Sequence, residues 1–134
     1  MVDPLCKEAA RKWIKQSLHD KDMAIKNCSI GGYDVAAFLA HQSVEKLFKG
    51  LLLLDGKKIP RTHHIDQLAR ELEIPKEIMP DVYQLAPDYQ ISRYPDIADN
   101  IPFEQYDDQI LQIKLSSLEK IFYLLKDRYS GYVQ

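Results

Sequence analysis

Apolar residues recur at helical spacing through the first half of the chain and predict two long helices. The first begins at Asp3-Pro4, where a capping carboxylate precedes a proline at the first helical position, and runs to about Cys28. Gly31-Gly32 ends it. The second runs from about Tyr33 to Leu54 and ends at Asp55-Gly56. Its nearly continuous apolarity predicts a place at the centre of a helical bundle.

The second half of the chain begins with weaker helical signals. Thr62 is suited to cap a third, short helix that ends near Leu72. Pro75 starts a fourth over residues 76–90, and Pro80 falls early enough to be absorbed or to form a kink. The segment RYPDIADNIP holds two prolines and is predicted as a loop. No segment alternates with a period of two, so the sequence predicts an all-α bundle without strands.

The last helix is predicted to begin near Pro102 and carries the widest apolar stripe of the chain. Acidic residues lie in its first turns and basic residues in its last turn, which suits the helix dipole. One apolar row follows steps of three and four: Leu111, Leu115, Leu118, Phe122, Leu125 and Tyr129. A second row widens the stripe: Ile110, Ile113, Ile121 and Leu124. Such a stripe contacts two neighbouring helices, or one helix and another subunit.

A row of polar residues interrupts the apolar second helix. Gln42, Glu45 and Lys49 share one face, and His41 precedes Glu45 by one helical turn. Two interpretations remain open. The row is a solvated face with an exposed Glu45–Lys49 pair worth about 0.3–0.5 kcal/mol, or it lines a groove or a subunit contact.

Composition sets limits on the kind of protein. The chain has 134 residues, which predicts one domain over 1–134, and its formal charge of −2 does not indicate nucleic-acid binding by itself. The apolar run Leu51–Leu54 is far too short to span a bilayer, and the N-terminus has no signal-peptide-like stretch, so a cytoplasmic protein is expected. Cys6 and Cys28 would lie about 33 Å apart on one helix and are expected to be reduced.

Basic groups are nevertheless concentrated after the second helix, in the sequence DGKKIPRTHH. Between Lys46 and His64, only Asp55 opposes the basic residues Lys49, Lys57, Lys58 and Arg61. A phosphate or an acidic partner surface is the natural complement of such a cluster. A solvated loop of lysines is the alternative.

Three motifs taken together resemble the HEPN domain family. The second helix supplies Ala37-Phe38, Gln42, Glu45-Lys46 and Lys49; a loop then supplies Thr62-His63 and Ile65; later come Tyr89 and Arg93-Tyr94-Pro95-Asp96. Trp13 and Asp20 in the preceding helix also fit the pattern. The resemblance implies an up-and-down bundle of four or five helices that forms homodimers.

The resemblance also implies two classes of function. Many HEPN proteins are ribonucleases, often toxins paired with a small nucleotidyltransferase antitoxin, and others bind nucleotides or act as interaction modules. The nuclease branch uses an Arg followed by a His a few residues later, but all four histidines here lie at or before residue 64, so Arg93 has no such partner. A substitute would bring Arg93 together in space with His41 or His63.

Tyr94 precedes a proline and is therefore pushed out of helical geometry, which places Arg93 at the end of the fourth helix or just past it. There Arg93 can form a clasp with Asp96, contact a ligand phosphate, or do both. His63 and His64 open the third helix, as surface or capping residues rather than as a metal site. Adjacent histidines point to different sides of a helix and rarely share one ion, so no metal is expected. No cofactor is expected either.

The sequence therefore predicts a HEPN-like protein that binds nucleotide or RNA, with a nucleotidyltransferase as a possible partner. A metal-independent ribonuclease toxin with a rearranged acid–base set and a purely structural dimerisation module are the alternatives. No catalytic residue is assigned. Seven residues are predicted to line the site: Gln42, Glu45, Lys49, His63, Arg93, Tyr94 and Asp96.

Overall fold

The first two helices form a hairpin whose ends lie where the capping residues predict. The structure, a computed structural model, describes residues 3–96 and 101–133. Helix α1 spans Pro4–Ser29, and the Asp3 side chain accepts a 2.7 Å hydrogen bond from the backbone N–H of Leu5. Gly31 adopts a φ of +83°, which only glycine tolerates at low cost, and turns the chain into α2, Tyr33–Leu54.

Helices α1 and α2 approach each other closely at Gly50. A Cβ atom added to this glycine would meet Ile14 Cγ1 at 2.9 Å and Trp13 Cβ at 3.2 Å. A Cβ contact of 2.9 Å essentially never occurs in folded proteins and one of 3.2 Å is unusually tight, so a larger residue at position 50 would push the two helices apart. Gly50 thereby fixes the position of Trp13 relative to α2.

The predicted third helix exists but begins later than expected. Helix α3 spans Ile65–Glu71, and His64, not Thr62, is the residue that precedes it. Thr62 instead accepts a hydrogen bond from the backbone N–H of His64 at 3.1 Å, which forms a turn. The prediction that Thr62 caps the helix and that both histidines lie within it is therefore wrong by two residues.

The predicted fourth helix is broken into three pieces. A 3-10 turn, Lys76–Ile78, leads into α4, Met79–Leu85, and α5 follows at Asp88–Ile91. Pro80 lies in the first turn of α4 and is absorbed there, which is one of the two outcomes that the sequence leaves open. Pro87 causes the break, because its nitrogen has no hydrogen to donate to a continuing helix.

The last long helix starts later than the sequence predicts. A 3-10 turn, Pro102–Gln105, comes first, and α6 spans Asp108–Leu124 before a short final helix, α7, Lys126–Tyr129. Asp107 caps α6, because its side chain accepts a 2.8 Å hydrogen bond from the backbone N–H of Ile110. The loop predicted over residues 93–102 lies partly outside the described residues.

The core confirms the predicted all-α bundle. Helix α2 supplies its centre and contacts α1, α3, α4, α5 and α6. The first apolar row of α6 is buried in this core apart from the half-buried Leu115, whereas Ile110, Ile113 and Leu124 of the second row remain exposed. Both cysteines are free. None of the described helices is long and apolar enough to cross a membrane.

Candidate functional site

The polar row of α2 is buried, so its interpretation as a solvated face is wrong for its central pair. Glu45 is 4% exposed and Lys49 is 7% exposed. Lys49 Nζ donates to Glu45 Oε2 at 2.9 Å. A buried carboxylate such as that of Glu45 is stable only where neighbouring groups compensate its charge.

His63 supplies a second partner for the Glu45 carboxylate from another part of the chain. Its Nδ1 lies 3.1 Å from Glu45 Oε2. The chain returns to α2 at this point because α3 is anchored on the core through fully buried residues, among them Ile65 and Leu68. A carboxylate at Nδ1 favours the tautomer whose proton lies there, which leaves Nε2 as an acceptor.

Tyr89 connects His63 to the end of α5. The His63 and Tyr89 rings stack with centroids 4.3 Å apart and an interplanar angle of 10°. Tyr89 belongs to the family-like motif but is not among the predicted lining residues, because nothing in the sequence shows which element meets His63. The stack extends the cluster from α2 across to the segment that carries Arg93.

Arg93 lies just past α5, as predicted, and its guanidinium group covers aromatic rings. Its Cζ atom lies 4.7 Å from the centroid of Phe38, 5.3 Å from Tyr89 and 4.9 Å from Tyr94. One of its Nη atoms donates to the Tyr94 hydroxyl at 2.6 Å. Asp96 is exposed and forms no ion pair with Arg93, so the predicted Arg93–Asp96 clasp is absent.

The contacts bring together five of the seven predicted residues and leave two aside. Lys49, Glu45 and His63 are in direct contact, and Arg93 with Tyr94 joins them through Tyr89. Gln42 is half-buried and makes no hydrogen bond to a described residue, and Asp96 contacts none of the other six by hydrogen bond or ion pair. We call Phe38, Glu45, Lys49, His63, Tyr89 and Arg93 the Glu45–Arg93 cluster.

His41 is a buried imidazole at the inner wall of this cluster. It is 0% exposed, and neither ring nitrogen has a hydrogen-bond partner among the described residues. Its Nδ1 lies 3.8 Å from Glu45 Oε1, and its ring lies against Tyr89 at 5.6 Å. Burial lowers the pKa of His41 to about 4, although the Glu45 carboxylate opposes the shift. His41 is therefore neutral near pH 7.

A second buried polar cluster holds α5 in place. Lys114 Nζ of α6 lies 2.7 Å from Asp88 Oδ2 and donates to the backbone carbonyl of Gln84 at 2.8 Å. The Tyr106 hydroxyl donates to Asp88 Oδ1 at 2.7 Å. Burial raises the pKa of Asp88 above its ordinary value, and Lys114 and Tyr106 oppose the rise. Because Asp88 is next to Tyr89, this cluster positions the ring on which His63 stacks.

The basic loop adds positive charge beside the cluster. Lys58 and Arg61 are exposed and make no ion pair within residues 3–96 and 101–133. Lys57 is used structurally, since its Nζ donates to the Glu71 carbonyl at 2.7 Å. The described residues contain no group of three or more His, Cys, Asp or Glu side chains able to hold a metal ion. The chemistry on offer is thus cationic and aromatic, with His63 Nε2 as an accessible base.

The fold and site define a small all-α protein with a cationic and aromatic cluster between its second and fifth helices. The HEPN domain model matches residues 10–128. The crystal structure of TT1696 from Thermus thermophilus is 27% identical with a TM-score of 0.81, over 89% of this chain and 97% of that one. The crystal structure of ST0689, an archaeal HEPN homologue, is 32% identical with a TM-score of 0.76, over 89% and 96%. No curated protein matches significantly.

The chain therefore belongs to the HEPN domain family.

Proposed function

We propose that this chain acts as a single cytoplasmic domain that binds nucleotide or RNA phosphate at the Glu45–Arg93 cluster. The observation that carries the proposal is the exposed Arg93 guanidinium, whose Cζ atom lies within 5.3 Å of the ring centroids of Phe38 and Tyr89, at the end of a cluster that also holds His63. A guanidinium that is already ordered loses little conformational freedom on binding phosphate, and its planar donors match phosphate oxygens. The rings beside it offer faces for bases.

Replacing Arg93 by alanine should weaken RNA binding at least tenfold. One phosphate contact would be lost, so the slope of log Kd against log salt concentration should also fall by about 0.7, the contribution of one contact to a single strand. Fluorescence anisotropy of a labelled RNA decamer at several salt concentrations measures both quantities. Arg70→Ala is the matched control, because Arg70 is exposed on α3 and pairs with Asp66 at 3.2 Å. Equal affinity of Arg93→Ala and Arg70→Ala would contradict the proposal.

A metal-independent ribonuclease is the second candidate, and the Glu45–His63 contact favours it. Glu45 orients His63 so that Nε2 can accept the proton of a ribose 2′-hydroxyl, while Arg93 stabilises charge on the attacked phosphate. The 2′-oxygen would then form a bond to phosphorus as the bond from phosphorus to the 5′-oxygen breaks, and water would give the leaving 5′-oxygen its proton. The same RNA, incubated without metal and run on a denaturing gel, would show fragments that His63→Ala abolishes. RNA that stays intact at high protein concentration would contradict the ribonuclease and leave the proposal that the chain only binds RNA.

The partner is proposed to be a second copy of this chain, with a nucleotidyltransferase as the other candidate. The support is the second apolar row of α6, where Ile113 is 57% exposed and Ile110 and Leu124 are partly exposed. A row of exposed apolar side chains along one helix face is typical of a contact with another subunit. Light scattering of the purified chain should give about twice the mass of 15.6 kDa. The monomer mass would contradict the dimer. If the chain is dimeric but binds no RNA, a purely structural dimerisation role would remain.

A further inference from the structure

A cavity between α1 and α2 lies outside the Glu45–Arg93 cluster. It has a volume of about 180 Å³ and is lined by Lys12, Trp13, Gln16 and Lys46. The lining combines the half-buried Trp13 side chain with two lysines. An aromatic ring with cationic groups near it is complementary to a planar ring that carries negative charge nearby.

The wall of this cavity is fixed by buried polar contacts. Asp20 is buried and forms an ion pair with Lys46 of α2. Gln16 Nε2 donates to the other Asp20 oxygen at 2.9 Å. Lys12, by contrast, is exposed and makes no ion pair with a described residue. The cavity therefore presents an ordered wall on one side and an available cation on the other.

The buried Lys49 side chain connects Trp13, which lines the cavity, to the Glu45–Arg93 cluster. The Lys49 ammonium lies 5.7 Å from the centroid of Trp13 on one side and 2.9 Å from Glu45 Oε2 on the other. The two binding elements therefore share a row of side chains along α2. Phe38, beneath Arg93, and Lys49, beside Trp13, are eleven positions apart on that helix. This separation corresponds to about 16 Å along the axis.

We infer that the Trp13 cavity is a base-stacking subsite for a single-stranded oligonucleotide whose phosphate is held at Arg93. The inference rests on the proposed function and specifies its ligand. Stacked nucleotides advance about 3.4 Å per residue, so a mononucleotide is too short to contact both ends. About five such steps cover this distance, so a strand of roughly five or six nucleotides reaches from Arg93 to Trp13. Lys12 then lies beside the backbone at the far end, where its charge is complementary to phosphate.

The only tryptophan of the chain is Trp13, so its fluorescence reports directly on this cavity. An RNA decamer should quench Trp13 emission with a midpoint equal to the Kd from anisotropy. AMP at the same nucleotide concentration should not. Trp13→Leu should weaken decamer binding about ten- to a hundredfold, and Trp13→Phe, which keeps a stacking face, by less. A DNA decamer run in parallel tells whether the 2′-hydroxyl is recognised.

The outcomes separate this inference from the proposed function. If the decamer binds in an Arg93-dependent manner while Trp13 emission and the affinity of Trp13→Leu stay unchanged, the subsite is overturned and the proposed function stands. If AMP quenches as strongly as the decamer, the ligand is a mononucleotide and the oligonucleotide assignment is overturned. If no strand binds, both fail. Should Trp13→Leu not fold, as circular dichroism would show, protection of native Trp13 from acrylamide by the decamer decides the question.

Discussion

Replacing Lys114 by methionine should lower the free energy of unfolding by about 3–5 kcal/mol, although methionine fills most of the same volume. The substitution leaves the Asp88 carboxylate buried without its counterion, and removal of one partner of a buried ion pair costs this much. Lys114 is only 8% exposed, and its Nζ lies 2.7 Å from Asp88 Oδ2. The substitution also leaves the Gln84 carbonyl without its 2.8 Å donor.

Lys120→Met is the matched control on the same helix. Lys120 lies 3.2 Å from Asp81 but is 49% exposed, so water already screens this ion pair, and Ser117 still donates to Asp81 Oδ1 at 2.9 Å in the variant; the expected cost is about 1 kcal/mol, well below that of Lys114→Met. Urea denaturation of both variants measures the two costs under the same conditions. If Lys114→Met costs no more than Lys120→Met, the Asp88 cluster does not hold α5 in place.

The Lys114→Met substitution should also disturb the Glu45–Arg93 cluster. Asp88 is adjacent to Tyr89, whose ring stacks on His63 and lies under Arg93. A displaced α5 would therefore separate the stacked rings and release the guanidinium. RNA affinity of Lys114→Met, measured where the variant is still folded, should fall together with its stability.

The long helices can be predicted because their signals are local. Asp3, the Gly31-Gly32 pair and the Asp55-Gly56 pair act within a turn of the helix they delimit. The region at residues 76–91 reads as one helix because the apolar spacing continues through Pro87, and only the missing N–H of that proline ends it. The missing N–H of Pro87 is also a local feature of the chain, but a pattern of apolar spacing does not reveal it.

The candidate site can be predicted only within α2. His41, Glu45 and Lys49 are one turn apart, so their proximity follows from helical geometry. Their burial does not, since it depends on how α3 and α5 pack over them. The stacking of His63 on Tyr89 joins residues that are far apart in sequence, and no periodicity shows it.

The position of Lys114 in the sequence does indicate a buried ion pair. It follows Leu111 by three positions and precedes Leu118 by four, so it occupies a core position in the predicted apolar stripe of the last helix. A lysine at such a position requires a buried acidic partner. Periodicity does not tell which acid it meets, because Asp88 lies on a different element.

Protonation of His41 should destabilise the protein as the pH falls. Burial lowers the pKa of this imidazole to about 4, below the ordinary 6.5, because the site disfavours the cation. Between these two values the unfolded chain binds a proton that the folded chain does not, so stability rises with pH in this window and is lost as the pH falls through it. The difference between the two pKa values corresponds to about 3 kcal/mol of the free energy of unfolding, and this contribution is present in full above pH 6.5.

The groups that face His41 determine how this prediction is tested. Glu45 on α2 and the backbone of His63 oppose the lowering of the His41 pKa, whereas the side-chain charges of His63 and His64, which precede α3, add to it. Unfolding in urea at pH 7.5 and pH 4.5 should show the native protein losing about 2–3 kcal/mol more than His41→Leu, which has no proton to gain. His19→Leu is the control, since His19 is exposed on α1 and should leave the native pH dependence unchanged. Parallel pH dependences of the native protein and His41→Leu would mean that the imidazole gains its proton in the folded state as readily as in the unfolded one.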